Sequence, residues 1–494
     1  MARNEFGHGG GSVVDCLRKY ADLRGLHPAA EEGERQLTYR SLFERSEQAA
    51  ANLIAADVRI GDVTALMLGD TLEHLVLLCA LARVGAVIFS IDPRQPRSAI
   101  ERNMQAVEAK FLVHDSAGVA FEGVRNLQQD DLCRPAAEAV PDRRVGGEDP
   151  LFLNQSSGTT GNAKIYMLTH QDILDRSERY RKAHGWDAEE RFLNVSPLYF
   201  SVSRASCFFL LQCGATNILP CDAKIETLVR FVTAKRVSYL KLTPSHVVGL
   251  LSYVAGKPLL FPSLRAMTSI TAPISHAQRL AARAQLTANF HEQYGANEVG
   301  QITVAMPMDQ DRFPDSVGRL LDGIEAKVVD GEGAELPSGE VGLIGFRLSG
   351  SAKTYLNNPA ATQKAFRDGW FFPGDMAMLN EQGYIFFKGR ADDIINNAGV
   401  KVYPADCEQV LLEHPSVIEA AAFGYPHKVA GEVVAACVVT DRSGVLNELQ
   451  RFCLDRLPPY KAPAYIFEMT KIPKNAAGKI LKTRLKEILL SRRE

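Results

Sequence analysis

At 494 residues and a formal net charge of −2, the chain is long enough for roughly two to four domains around a large core, and it lacks the basic excess of a nucleic-acid binder. Its hydrophobic fraction of 46% is that of an ordinary globular enzyme. The first residues lack the basic flank and apolar core of a signal peptide, and the longest apolar stretch, 74–91, is broken by Arg83 and Gly85, which excludes a membrane span. Nine cysteines without a C-x-x-C spacing fit reduced thiols in a cytoplasm and supply no metal site.

In chain order, residues 41–56 carry a helical period, 63–68 read as a strand, 73–84 as a helix, 86–91 as a strand, 97–108 as a helix and 110–114 as a strand. Such alternation predicts a parallel sheet wrapped on both faces. Residues 116–150 are polar and read as a connection. The alternation resumes over 185–290. From 316 to 350 short strands are separated by glycine turns, as in a small antiparallel sheet or barrel. From 396 onward the pattern is a compact α+β unit with a helix over 405–414, strands over 418–424 and 432–440, and a helix over 446–457.

The stretch 154–170, NQSSGTTGNAKIYMLTH, carries the strongest chemical signal. The apolar run 151–153 reads as a strand, and Thr169 with Asp172 makes a capping-box start to a helix. Between them lie Ser156, Ser157, Gly158, Thr159, Thr160 and Gly161, then Lys164. Glycines let successive N–H groups point inward as an anion nest, hydroxyls add donors, and a lysine adds charge. Read as strand, small-residue loop and helix, the segment predicts a triphosphate site. It is not a Walker A loop, because Lys164 follows Gly161 by three residues. Tyr294 beside Gly295 offers a ring for adenine, although a tyrosine next to glycine is often a core or turn residue. Glu298 offers a hard oxygen for Mg2+. Asp375 can accept from ribose hydroxyls, with Arg390 adding a charge-assisted donor. His170 and His246 read as structural, and the histidines show no metal spacing.

SSGTTGNAK (156–164), YGANE (294–298), PGD (373–375), GRADDII (389–395) and GK (478–479), in that order, resemble the adenylate-forming superfamily of acyl- and aryl-CoA synthetases, peptide-synthetase adenylation domains and luciferase. The resemblance runs from about residue 36 to the C-terminus. It implies an α/β fold: a large N-terminal domain of two wrapped sheets with a small β-barrel-like subdomain (1–390), followed by a small, mobile α+β domain carrying a catalytic lysine (391–494). It also implies adenylation of a carboxylic acid with release of pyrophosphate, then transfer to a thiol. The expected reaction is an ATP- and Mg2+-dependent acid:CoA ligation, similar to benzoate–CoA ligases, on an aryl or a short or medium acyl carboxylate. A free-standing ligase loading a carrier protein's phosphopantetheine arm is the alternative, and a non-catalytic nucleotide binder is a third reading, which the intact Lys164, Glu298, Asp375, Arg390 and Lys479 oppose. Monomer and homodimer both remain open.

By the same resemblance Lys479, Lys164 and Glu298 are catalytic, Asn297 stands where the family has a threonine donating to the α-phosphate, and Asp392 is the hinge between the domains. On chemistry alone Asp392 is equally a cap or a surface acid. Ala163 and Ile165 replace the usual proline and glycine of the phosphate loop. The acid pocket is expected from Tyr199, Phe200, Ser201, Thr271, Ala272 and the Gly295 backbone, with two buried core aromatics as the other reading of Tyr199 and Phe200. Amino-acid-activating members carry an aspartate where Ser201 stands, so an α-amino acid is disfavoured. Gly399 and Lys401 are expected along the pantetheine tunnel. Lys479 sits in a basic tail and is otherwise a surface lysine; acetylation by a lysine acetyltransferase would remove its charge.

Overall fold

The computed structural model describes residues 11–116, 120–140, 145–156, 164–220, 224–254, 259–428, 430–474 and 479–491. Among them are four sheets. One has six strands in the spatial order Arg125–Gln128, Phe111–His114, Val63–Met67, Val87–Ser90, Pro150–Ser156 and Lys164–Thr169. Another has nine, with Arg191–Asn194, Tyr239–Leu242, Ala266–Ser269 and Phe290–Ala296 as adjacent parallel neighbours near its centre. The side chains of Leu66, Ile88 and Phe152 from the first and Phe192, Tyr239 and Ala266 from the second share one core, so the two sheets are packed around common helices. The helix Leu72–Val84 lies in that core and is buried nearly all round, which explains its lack of a polar face.

A third, antiparallel sheet of six strands is built mainly from Glu325–Val329, Val341–Arg347, Asp375–Leu379 and Ile385–Arg390, and it joins the same core through Ile344, Phe346 and Ala377. The fourth sheet lies within residues 395–468 and has separate cores of its own, covered by the helices Pro404–Glu413, Leu446–Leu454 and Lys482–Ser491. The mixed α/β architecture, with several sheets in a large N-terminal part and a smaller α+β C-terminal part, is the one expected. No helix among the described residues is long and apolar enough to cross a membrane.

The stretch around the phosphate loop differs from the strand–loop–helix expectation. Lys164–Thr169 is a strand that returns antiparallel to Pro150–Ser156, with Ser156 opposite Lys164 and Asn154 opposite Tyr166. The two strands therefore pair as the arms of a hairpin, and Lys164 opens the second. Only after Thr169 does the helix His170–His184 begin. Its capping box is the predicted one: Asp172 N–H donates to Thr169 Oγ1 at 3.1 Å and Thr169 N–H to Asp172 at 2.9 Å. The polar connection before the hairpin holds a short strand, Arg125–Gln128, and a helical turn, Gln129–Leu132.

Candidate active site

Three chain segments meet at the C-terminal edge of the parallel strands. The first is the end of the strand Phe290–Ala296. The backbone there passes so close to the next strand that a Cβ on Gly295 would lie 2.3 Å from the Gly300 carbonyl oxygen, which only glycine permits. Tyr294, just before it, donates its hydroxyl to Asp375 Oδ2 at 2.6 Å. Arg390 Nη1 donates to Asp375 Oδ1 at 2.7 Å and to the Pro373 carbonyl at 2.6 Å. Each Asp375 oxygen thus has one protein partner, and a carboxylate has about four lone-pair sites. Two acceptor directions remain for a pair of hydroxyls. Burial and the facing Asp375 push the Tyr294 hydroxyl far above the usual phenol range, so it stays a donor and fixes the ring.

The second segment carries Glu298, 6% exposed. Tyr355 donates to Glu298 Oε1 at 2.8 Å, and the Tyr355 ring lies under Lys164, whose Nζ is 5.1 Å from the ring centroid. Tyr355 therefore joins the hairpin cation to the buried acid. Arg176 clamps the backbone beneath: its Nη1 donates to the Asn297 carbonyl at 3.1 Å, Nη2 to the Glu298 carbonyl at 2.6 Å and Nε to the Gly350 carbonyl at 2.6 Å. Because Arg176 is on the helix that follows the hairpin, one rigid element sets the hairpin against the 294–298 turn. Ser156, at the end of the first hairpin strand, donates to the Lys164 carbonyl at 3.4 Å. Ser157, Gly158, Thr159, Thr160 and Gly161 lie outside the described residues.

The third segment brings Lys479 from the far end of the chain. Burial lowers its ammonium from the ordinary 10.5, and Arg390 lowers it further, while Asp375, Asp393 and Glu298 act in the opposite direction. Arg390, Asp375 and Glu298 belong to the two clusters just described, so the lysine faces the same space. Asp392 lies in the short turn Ala391–Asp393 and pairs at 3.4 Å with Lys364, both side chains largely exposed. Gly399 sits at the tip of the hairpin formed by Ile395–Asn397 and Val400–Val402, with φ +88° after Ala398 at +50°. No atom lies within 4 Å of a Cβ built on it. Lys401 is exposed on the same hairpin.

In the segment expected to hold the acid, Phe200 stands at the N-cap of the helix Ser201–Cys213 and stacks obliquely on Tyr199, ring centroids 4.7 Å apart. Both rings are half-buried, an exposure suited to pocket walls. Arg204 fixes the loop by donating to the Leu198 and Tyr199 carbonyls at 3.3 and 2.7 Å. Ser201 donates to Asn297 Oδ1 at 3.2 Å, linking the acid side to the phosphate side and leaving the Asn297 amide as a donor. Thr271 has φ +81°, an outlier for a β-branched residue, beside the half-buried Ala272 at the end of Ala266–Ser269.

The chain matches the family model described as "AMP-binding enzyme" over residues 17–356, and the "AMP-binding enzyme C-terminal domain" over 406–479. It belongs to the AMP-binding enzyme family. Among its relatives, a probable CoA ligase of Humulus lupulus is 27% identical over 501 residues, covering 95% of this chain and 94% of the relative. A 2-succinylbenzoate–CoA ligase of Bacillus licheniformis is 27% identical over 95% of this chain and 98% of its own length. Among solved structures, o-succinylbenzoate CoA synthetase from Bacillus subtilis in complex with its acyl-adenylate intermediate superposes with a TM-score of 0.88 at 25% identity, covering 95% and 97% of the two chains. ATP-bound MatB from Rhodopseudomonas palustris gives 0.89 at 26%, covering 98% and 100%.

In this AMP-binding enzyme, Tyr355 and Arg176 carry no motif that singles them out in the sequence. Tyr355 stands in KTYLNN, and Arg176 is one of several charges on a polar helix. Their importance comes from contacts made across 57 and 121–122 residues of chain, which a local reading cannot see.

Proposed function

We propose that this AMP-binding enzyme is an ATP-dependent acid–thiol ligase. It joins a carboxylate to AMP and then passes the acyl group to CoA. In the first half-reaction a carboxylate oxygen bonds to the α-phosphorus while the bond to the β-phosphate breaks and pyrophosphate leaves. Two anions must approach, so catalysis is largely positioning and charge stabilisation. Lys479 is the cation between them, and Lys164 serves the β/γ end. Tyr294 and Gly295 hold the adenine, Asp375 and Arg390 the ribose side, and Asn297 with the serines, threonines and glycines of 156–161 the phosphates. Glu298, a buried carboxylate, suits a hard cation and is the residue that would hold a Mg2+ ion, whose charge offsets that of the phosphates. In the second half-reaction residues 391–494 turn about Asp392 and remove Lys479. The hairpin of Gly399 and Lys401 then lines the thiol's approach, and sulfur displaces AMP from the acyl carbon.

The observation that carries this reading is the convergence of Lys479 with Arg390, Asp375 and Glu298. Tyr199, Phe200, Ser201, Thr271 and Ala272 frame an acid without an α-ammonium, aryl or short to medium in length. ATP and CoA as substrates suit a cytoplasmic enzyme. A pyrophosphate-release screen over a carboxylic-acid panel, with and without CoA, tests the reading. We expect turnover with non-amino acids that rises with CoA. Best turnover with an α-amino acid contradicts the pocket assignment. Turnover only with a phosphopantetheinyl carrier protein replaces CoA by the carrier.

A further inference from the structure

The sheet face behind the acid side holds an unusual residue. Lys241 lies near the end of the central strand Tyr239–Leu242 and is 1% exposed. Side chains alternate along a strand. Leu240 and Leu242 point into one core with Leu193, Met267 and Phe290. Lys241 therefore points the other way, with Tyr239, toward the helices His170–His184 and Ser201–Cys213. Its Nζ lies 5.5 and 6.0 Å from the ring centroids of Phe192 and Tyr180. No carboxylate among the described residues pairs with it, and burial alone lowers its ammonium to about 8. Cation–π attraction to two rings offsets only part of the cost of burying a charge.

Its neighbours share this condition. In register across the sheet, Lys241 is flanked by Asn194 and Thr268, and Thr268 by His291. Two residues further along its strand, on the same face, is Gln293. Asn194 Nδ2, His291 Nδ1 and Gln293 Oε1 are all buried without a hydrogen-bond partner among the described residues. Native cores leave few such atoms, and a cluster of them needs an explanation. Asn194 also lines a cavity with Ser196, Leu198, Ser203 and Cys207. That cavity is small, with room for about one water, and its residues Ser196 and Leu198 lead directly into Tyr199 and Phe200, the wall assigned to the acid. The strand carrying His291 continues four residues to Gly295, about 13 Å at the rise of a strand. A substrate reaching from the reacting end to Lys241 would thus have the length of a substituted ring or a short chain.

We propose that Lys241, with Asn194, His291 and Gln293 around it, forms a polar floor to the acid pocket that binds an anionic oxygen group at the far end of the substrate, a second carboxylate above all. The inference rests on the ligase reading above and names the substrate class within it. A distal carboxylate would supply the counter-charge that Lys241 lacks and accept from the Asn194 amide. Long unsubstituted acyl chains would leave a buried ammonium facing hydrocarbon and are selected against.

Pyrophosphate release in the presence of CoA, measured with matched pairs of acids, tests it: terephthalate against benzoate, and adipate against hexanoate. The wild-type enzyme should prefer the diacid of at least one pair by roughly a hundredfold in kcat/KM, the scale of a charge partner left buried and unpaired. Lys241→Met keeps the length of the side chain and removes the charge. It should erase that preference, raising KM for the diacid and lowering it for the monoacid. As a second readout, the diacid should raise the Tm of the wild type and not that of Lys241→Met. Preference for the monoacids by the wild type, or equal loss on all four acids in a folded variant, overturns the polar floor and leaves the ligase reading standing. No pyrophosphate from any acid overturns both.

Discussion

The nucleotide side and the acid side of the site are built on opposite plans. On the nucleotide side polar groups hold one another: Tyr294 and Arg390 share Asp375, Tyr355 holds Glu298 and lies under Lys164, and Arg176 grips the backbone at 297 and 298. Among the described residues, Arg390 Nε and the Tyr166 hydroxyl are exceptions, buried without a partner. On the acid side Asn194, His291, Gln293 and the Tyr199 hydroxyl have buried polar atoms with none among the described residues, where no carboxylate pairs with Lys241 either. A site that always meets ATP can complete its own network in advance, which lowers the reorganisation required during reaction. A site shaped for one acid leaves its polar groups for that acid to satisfy.

The comparison can be broken on the nucleotide side, where the largest effect is expected from Lys479→Ala. Acyl-adenylate formation should fall by roughly two to three powers of ten, the scale of one lost preorganised donor. Thioester formation from ready-made acyl-adenylate and CoA should stay near wild type, because the proposed mechanism uses Lys479 only in the first step. Equal loss in both half-reactions contradicts this. Tyr355→Phe should come next. It removes the partner that orients Glu298 while keeping the ring under Lys164, and should weaken the apparent Mg2+ affinity roughly tenfold, measured as the Mg2+ dependence of pyrophosphate release. An unchanged Mg2+ curve means Glu298 needs no orienting.

Gly399→Leu sharpens the contrast between the two steps. In the conformation described, Gly399 faces open space, so a side chain meets nothing during adenylation. The substitution should cost about 1–2 kcal/mol in stability for a side chain at positive φ, spare pyrophosphate release in single-turnover assays, and block transfer to CoA. The pH profile supplies a milder test. Lys479 must be protonated to attract the carboxylate and phosphate, and its folded-state value is lowered from 10.5 by burial and then Arg390. Activity should thus be lost as pH rises through that lowered value, on an alkaline limb below the ordinary lysine range. Lys479→Arg should move the limb upward; an unmoved limb assigns it to another group. The smallest effect is expected from Lys364→Ala, since its contact with Asp392 is an exposed pair at 3.4 Å, worth about 0–1 kcal/mol. The ratio of the two half-reaction rates should hardly change.

The same contrast explains what was legible in the sequence. The nucleotide motifs are local runs, so Tyr294, Glu298, Asp375 and Arg390 could be singled out before the fold was known, and the alternating helices and strands could be followed through most of the chain. The second strand of the hairpin escapes a local reading because Ile165–Leu168 is too short for its period to separate a strand from the approach to the helix that Thr169 and Asp172 correctly begin. Tyr355 and Arg176 act only through tertiary contacts. Lys241 leaves the weakest trace. A lysine within a short apolar strand reads as an outward-facing residue, and only the sheet's position between two cores reveals that it has nowhere to go.

The central claim is that a carboxylate is activated as its mixed anhydride with AMP. Turnover of an 18O-labelled carboxylate with ATP and CoA, followed by mass analysis of the nucleotide, tests it most directly. Attack of a carboxylate oxygen on the α-phosphorus predicts one 18O atom in the released AMP and none in pyrophosphate. Unlabelled AMP, or label carried into orthophosphate, would contradict the account.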